Sequence, residues 1–406
     1  MTAQPSTVPE VPGPREEDRP SASFFRRFIE GDLGELRVIV VLAVIWAIFQ
    51  SQEDRFLSAT NLTNLMLQIT AIGLVSVGVV LVLLLGEIDL SVGAVSGLCA
   101  AVMAVLSVRH GWSPYLAIAA AIAVGAAIGT FHGVIFTTFG IPSFVVTLAG
   151  LLAWQGAQLE VLGTTGTINL TDPVVTGLTS TFYEGATGWT IAIVGILVYA
   201  AVTLLDWRRK ARAGLRVPSL GVVGLRLGLA AVAILIAVAV LNDDRGVPLA
   251  ALIFVGFVVV FQFITTKTTF GRHIYAVGGN AEAARRAGIK VQRIRIVVFA
   301  IASSMAAIGG IMAASRLLAV NQSSGAGDLL PLAIAGPVIA GTSLFGGRGS
   351  VWTALLGALV IGSISNGMDL LAYESSVKFM VTGAVLLAAV IVDALARRRR
   401  QATGRV

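Results

Sequence analysis

From residue 36 onward, long apolar runs of similar length alternate with short polar breaks. Twelve such runs can be drawn, at about 36–50, 64–85, 90–108, 115–138, 142–162, 188–206, 221–241, 248–266, 294–318, 329–345, 350–370 and 376–395. A sparsely charged run near the length of a bilayer crossing, about 20 residues, reads as a membrane-spanning helix. The pattern therefore predicts an all-α, polytopic membrane protein of about 10–12 spans. One membrane domain would occupy residues 36–396, with a polar, Pro-rich tail over 1–35 and a basic tail over 397–406. The N-terminal tail carries Arg15, Arg19, Arg26 and Arg27 and is too long and too polar for a cleavable signal peptide. It reads as disordered, with Phe24 to Phe28 at the membrane surface.

Composition agrees with this reading. Of 406 residues, 56% are hydrophobic and 13% charged. A soluble domain carries about twice that charged fraction. The net charge of +7 raises nucleic acid as a partner, but basic residues beside membrane spans usually set topology instead. Cys99 is the sole cysteine, which excludes a disulfide framework and a Cys-based metal site. His110, His132 and His273 are scattered, without ligand spacing.

Lysine and arginine fix the expected orientation. With the N-terminus inside, one set of loops holds Arg208, Arg209, Lys210, Arg212 and Arg216, then Lys267, Arg272, Arg285, Arg286, Lys290 and Arg293, and finally Arg397 to Arg400 and Arg405. The other set holds only Arg55, Arg109, Arg245, Arg316 and Lys378, each isolated. The positive-inside rule then places both termini in the cytoplasm.

One basic polar segment, Phe270 to Arg295, interrupts the apolar pattern and carries a helix signature. Asn280 suits an N-cap, and Glu282 falls in the first turn, where the helix dipole favours a carboxylate. Ala281, Ala283, Ala284 and Ala287 are strong helix formers, and Gly288 sits where a left-handed terminator belongs. A helix of roughly two turns is not stable alone in water. It therefore needs a surface, either an anionic bilayer or a protein cleft that Ala283 and Ala284 let it approach closely while Arg285 and Arg286 meet acids or lipid phosphate.

Two further breaks stand out. GEIDLS at 86–91 joins two apolar runs with almost no loop. It is either a tight cytoplasmic turn or a broken helix within the membrane, where irregular backbone survives only if buried or lining a cavity. Glu87 and Asp89 are two apart and would point to different sides of a helix, which argues against a chelating pair. GTSLFGGRGS at 341–350 is a comparable break in the C-terminal half. Candidate path-lining groups are Glu87, Asp89, Ser91, Gln155, Gln158 and Asn366. For the amides the alternative is interhelical hydrogen bonding. Gly93 and Gly97, like Gly125 and Gly129, form small-xxx-small pairs suited to close helix packing.

GEIDLSVGAVSG at 86–97, GRHIYAVGGNAEAARRAGI at 271–289, IAGTSLFGGRGS at 339–350 and SNGMDLL at 365–371 occur in this order. Together they resemble the sugar-type ABC importer permeases, the membrane subunits for ribose, arabinose, galactose and, most closely, xylose. The resemblance covers nearly everything beyond residue 36, although the N-terminal tail and LRVPSLGVVGLR at 215–226 depart from it. It implies a type II importer-like fold in a bacterial inner membrane. Glu282, Ala283, Ala284 and Gly288 match the family's coupling-helix pattern, which implies that Asn280 to Gly288, with Arg285, meets a cytoplasmic ATPase. The further partners it implies are a periplasmic or lipid-anchored sugar-binding protein and a second permease copy.

The chain itself carries no phosphate-binding G-x-x-x-x-G-K-[ST] loop. ATP and magnesium would then be bound by the partner, and the chain would be a transporter subunit without enzymatic activity or a cofactor of its own. An ion-coupled secondary transporter of a small polar solute is the competing expectation, with Glu87 or Asp89 as its titrating group.

Overall fold

A computed structural model describes residues 34–402, residue 216 excepted. The expected disordered tail lies outside the described residues but for its last two. The helices are α1 Gly34–Gln52, α2 Ala59–Leu84, α3 Val92–Ala104 (continued by a π-helical turn, Val105–Arg109), α4 Pro114–Phe139, α5 Ser143–Leu162, α6 Pro173–Ser180, α7 Gly185–Arg212 and α8 Leu220–Asn242. They continue as α9 Leu249–Lys267, α10 Thr269–Gly279, α11 Ala281–Arg286, α12 Val291–Leu317, α13 Leu329–Ile339, α14 Trp352–Leu370 and α15 Ser375–Ala402. Each of the twelve apolar runs carries one of them. Among the described residues, nine helices are long and apolar enough to cross a membrane, accompanied by shorter apolar stretches at Val38–Gln52, Leu329–Ile339 and Ser375–Ala388.

The tenth run departs from expectation. Its hydropathy predicts a span over 329–345, but the helix stops at Ile339. Pro337 inside it supplies no backbone donor, and Gly341 turns the chain at φ +107°. Eleven residues rise only about 16 Å. That falls short of a hydrocarbon core of about 30 Å.

α12 forms the axis of the bundle, packed along α2, α3 and α4. Small residues make this possible. Gly125, Gly129 and Gly133 form a stripe on α4 whose missing side chains admit the α12 backbone: a Cβ at Gly125 would sit 2.7 Å from the Ser303 carbonyl oxygen, and one at Gly133 2.7 Å from the Ile296 Cα. Gly93 and Gly97 of α3, expected to pack against a helix, instead receive the irregular backbone of Ser324 and Gly325. The reason lies in Gln158, whose amide donates to the carbonyls of Asn321 and Ser324 at 3.0 Å and draws that turn into the bundle.

Two short antiparallel ladders, Thr167–Asn169 with Ala319–Asn321 and Phe182–Tyr183 with Val247–Pro248, tie loops together at the end opposite α10 and α11. The α7–α8 hairpin is peripheral, with only 11% of either apolar window buried. The central role of α12 makes a stability prediction. Gly129→Val would drive a side chain into the Phe299 carbonyl and should cost about 1–3 kcal/mol in detergent unfolding. Gly195→Ala on α7, where a Cβ meets nothing within 4 Å, should unfold like the parent. Equal behaviour of the two variants would contradict this packing.

Candidate coupling site

The polar segment between α9 and α12 folds as two short helices. Thr268 caps α10, its Oγ1 accepting from the Gly271 N–H at 3.2 Å, and Ile274 and Val277 bury the inner face. Asn280 then adopts an extended conformation, φ −159°, and its Oδ1 accepts from the Ala283 N–H at 2.9 Å. This is the N-cap expected from the sequence. α11 has six residues, about 1.7 turns, close to the two turns expected. Gly288, at φ +85°, terminates the segment while the Ile289 N–H donates to the Ala284 carbonyl at 3.0 Å. Ala284 is buried, whereas Glu282, Arg285 and Arg286 face outward. Glu282 pairs with both arginines, at 3.2 and 3.3 Å. Exposed pairs of this kind contribute little to stability. What positions α11 is therefore the framework at its two ends.

At its entrance three backbones meet without side chains between them. A Cβ at Gly278 would overlap the Leu84 carbonyl oxygen at the end of α2 and come within 2.7 Å of the Gly347 nitrogen. The Gly347 N–H itself donates to that carbonyl at 2.9 Å. Gly346 and Gly347 hold φ +83° and +71°, values that disfavour any other residue. Tyr275 of α10 adds a tether, its Oη donating to the Gly349 carbonyl at 2.9 Å. Burial raises the Tyr275 phenol above its ordinary pKa, which keeps this donor protonated at neutral pH.

At the exit, α12 returns to the same place. The Arg295 guanidinium lies 2.7 Å from Glu87 Oε1 and 5.7 Å from the centre of the Phe136 ring. Thus the 86–91 break, the 341–350 break and both ends of the α10–α11 segment share one junction.

Across the 86–91 segment Gly86 is exposed, Glu87, Ile88 and Leu90 are half-buried, and Asp89 and Ser91 are buried. The segment's irregular backbone is satisfied by neighbours: the Ile88 N–H donates to Ser143 Oγ at 3.3 Å and the Leu90 N–H to Thr147 Oγ1 at 3.0 Å. Asp89 is 4% exposed, and its Oδ1 accepts from the Ser91 N–H at 2.8 Å and from Ser91 Oγ at 2.6 Å. Beyond Ser91 lies His132 Nδ1 at 3.4 Å, and His132 Nε2 accepts from Trp154 Nε1 at 3.0 Å. A ring whose Nε2 accepts carries its proton on Nδ1 when neutral, so a continuous chain Trp154→His132→Ser91→Asp89 follows.

The expected path residues are thus dispersed. Glu87, Asp89 and Ser91 share the junction. Asn366 lies far from them along α14, in a reciprocal buried amide pair with Asn61 at 2.8 and 3.0 Å. Gln158 is occupied by the 321–324 turn. Among the described residues, the half-buried Gln155 is the candidate amide with no hydrogen bond inside the chain. Sequence reasoning missed Arg295, His132, Tyr275 and Gly278. An arginine just inside an apolar run, and a histidine within one, are the signals that mark the first two.

Residues 61–390 match a family described as the permease component of branched-chain amino acid transport systems. The chain is 38% identical over 369 residues to the xylose transport system permease protein XylH of Escherichia coli (strain K12), covering 90% of this chain and 93% of the relative. It is 32% identical over 368 residues to the ribose import permease protein RbsC of the same strain, covering 91% and 96%. The probable ABC transporter permease protein YphD of that strain is 31% identical over 376 residues, covering 92% and 93%. No solved structure matches the chain. With the family match running through nearly all the spans and these relatives aligned almost end to end, the protein belongs to the ABC importer permease family that includes XylH and RbsC, as a multi-pass membrane component.

Proposed function

We propose that this chain is the membrane subunit of an importer for a monosaccharide, xylose or a related pentose, driven by a separate ATPase that engages α11. Both termini and the α10–α11 segment face the cytoplasm, as the lysine and arginine distribution requires. A sugar-binding protein delivers substrate to the opposite face, and two permease copies flank the path. The observation that carries the reading is the junction beneath α11. An exposed capped helix, stable only through its supports, follows directly on α10, whose Gly278 makes backbone contact with the end of α2 and with the glycine-rich loop. A pull on α11 reaches Leu84 through Gly278 and reaches Glu87 through Arg295, without a flexible side chain at the first contact.

The carbohydrate reading rests on the relatives' own substrates, xylose and ribose, and pentose uptake is the natural first assay. In proteoliposomes holding the permease, its ATPase and binding protein, labelled xylose should accumulate only with ATP. Accumulation without ATP would favour the ion-coupled alternative and overturn the reading.

Substitutions should separate lever from path. Gly278→Val, or Gly288→Val at a position held at φ +85°, should leave the protein in the membrane and reduce uptake at least tenfold while partner ATP hydrolysis persists. Undiminished uptake in both variants would remove α11 from the coupling role.

For the path, Gln155→Leu should slow uptake without lowering the unfolding temperature. Asn366→Leu should instead strand the Asn61 amide and destabilise the protein by about 1–3 kcal/mol. Loss of stability in Gln155→Leu with transport intact would assign that amide a packing role.

A further inference from the structure

The α7–α8 hairpin stands apart from the coupling junction, and its basic end has no occupant among the described residues. Near the close of α7, Arg208 and Arg212 lie one turn apart on one face, with Arg209 beside them, and all three are exposed. Arg226 is the seventh residue of α8 and is also exposed. At the α-helical rise it sits about 9 Å beyond the start of that helix, well into a strongly apolar stretch. Trp207 already reaches Pro218, two residues ahead of α8, so Arg226 lies deeper along the hairpin than Trp207. None of these four guanidinium groups takes part in an ion pair or hydrogen bond among the described residues. Among the described residues from Leu204 to Arg226 the one carboxylate, Asp206, is already shared by Lys210 at 2.8 Å and Lys267 at 3.0 Å.

The surroundings of these arginines are apolar. Leu204, Leu205, Leu215, Leu220 and Leu225 are 39–64% exposed around them. Trp207 is half-buried, its Nε1 donating to the Pro218 carbonyl at 2.9 Å and bracing the turn. Indole rings favour the headgroup level of a bilayer, and an arginine beneath that level extends its stem along the helix towards the phosphates.

We propose that this corner is a binding site for an anionic phospholipid, whose phosphate is held by Arg208 and Arg212 with Arg226 extending towards it from within the apolar stretch, and whose acyl chains cover the exposed leucines. A free anion would satisfy the guanidinium groups and leave that leucine surface in water. An acidic protein surface would likewise leave Arg226 unreached within the apolar stretch. The phospholipid meets both requirements. Through the Asp206–Lys267 pair the corner is tied to the end of α9, from which the chain passes directly into α10. The site is independent of which sugar is carried.

Native mass spectrometry of the purified full chain, equilibrated in mixed micelles of phosphatidylglycerol and phosphatidylcholine, tests this directly. The parent should retain phosphatidylglycerol preferentially. Arg226→Gln alone, the variant least disruptive to folding, should reduce that preference about fivefold, equivalent to about 1 kcal/mol. Replacing Arg208, Arg209, Arg212 and Arg226 together by Gln should abolish it. Replacing Arg397 to Arg400 by Gln removes the same charge and should leave it intact. Millimolar inorganic phosphate should not displace the lipid. No preference in the parent, equal losses in the hairpin and tail variants, or displacement by phosphate would overturn the proposal. So would a hairpin variant that keeps its lipid but no longer co-purifies with the ATPase.

Discussion

The close approach of three backbones at Gly278, Leu84 and Gly347 is the constraint on which the arrangement around α11 depends. A single added methyl group at Gly278 would occupy the space of the Leu84 carbonyl. Because that carbonyl also accepts the Gly347 N–H, the end of α2 is fixed simultaneously to the glycine-rich loop and to α10. Side chains can change rotamer to absorb a displacement, whereas packed peptide groups transmit it. A short polar helix that would melt by itself is thereby made part of the bundle.

The same economy of side chains governs the core. Gly125, Gly129 and Gly133 let α4 lie against the α12 backbone, and α12 then serves as the common wall for α2 and α3. Since the first turns of α12 also set Arg295 against Glu87, the element that organises the core is the one that follows α11. The core and the junction beneath α11 are accordingly not separable in this protein. Changes in the glycine stripe will be felt at the junction, and changes at the junction will be felt in the core.

Hydropathy and local chemistry made much of this legible in the sequence. The twelve apolar runs appear as helices because burial of a nearly uncharged stretch of that length has few other solutions. Asn280 and Gly288 were readable as the cap and terminator of α11 because capping is local, decided within four residues. The break at 86–91 was visible as an interruption, but the partners of its backbone and buried side chains were not. Ser143, Thr147, His132 and Arg295, which satisfy it, lie 41 to more than 200 positions away in the chain. Gln158 and Asn366 illustrate the same limit. Their composition suits a sugar path, and only their long-range partners, the 321–324 turn and Asn61, disclose that both are already occupied.

On this geometry α11, the end of α2 and the glycine-rich loop should move as one body. Spin labels at Ala287 beyond α11, at Ser343 in the loop and at Thr164 on the opposite end would measure this directly by pulsed electron resonance, with the permease–ATPase complex studied before and after trapping with ATP. The Ala287–Ser343 distance should stay unchanged while the distances from both to Thr164 shift together. A change between Ala287 and Ser343 as large as that to Thr164 would show that α11 moves independently of the junction and would contradict the account.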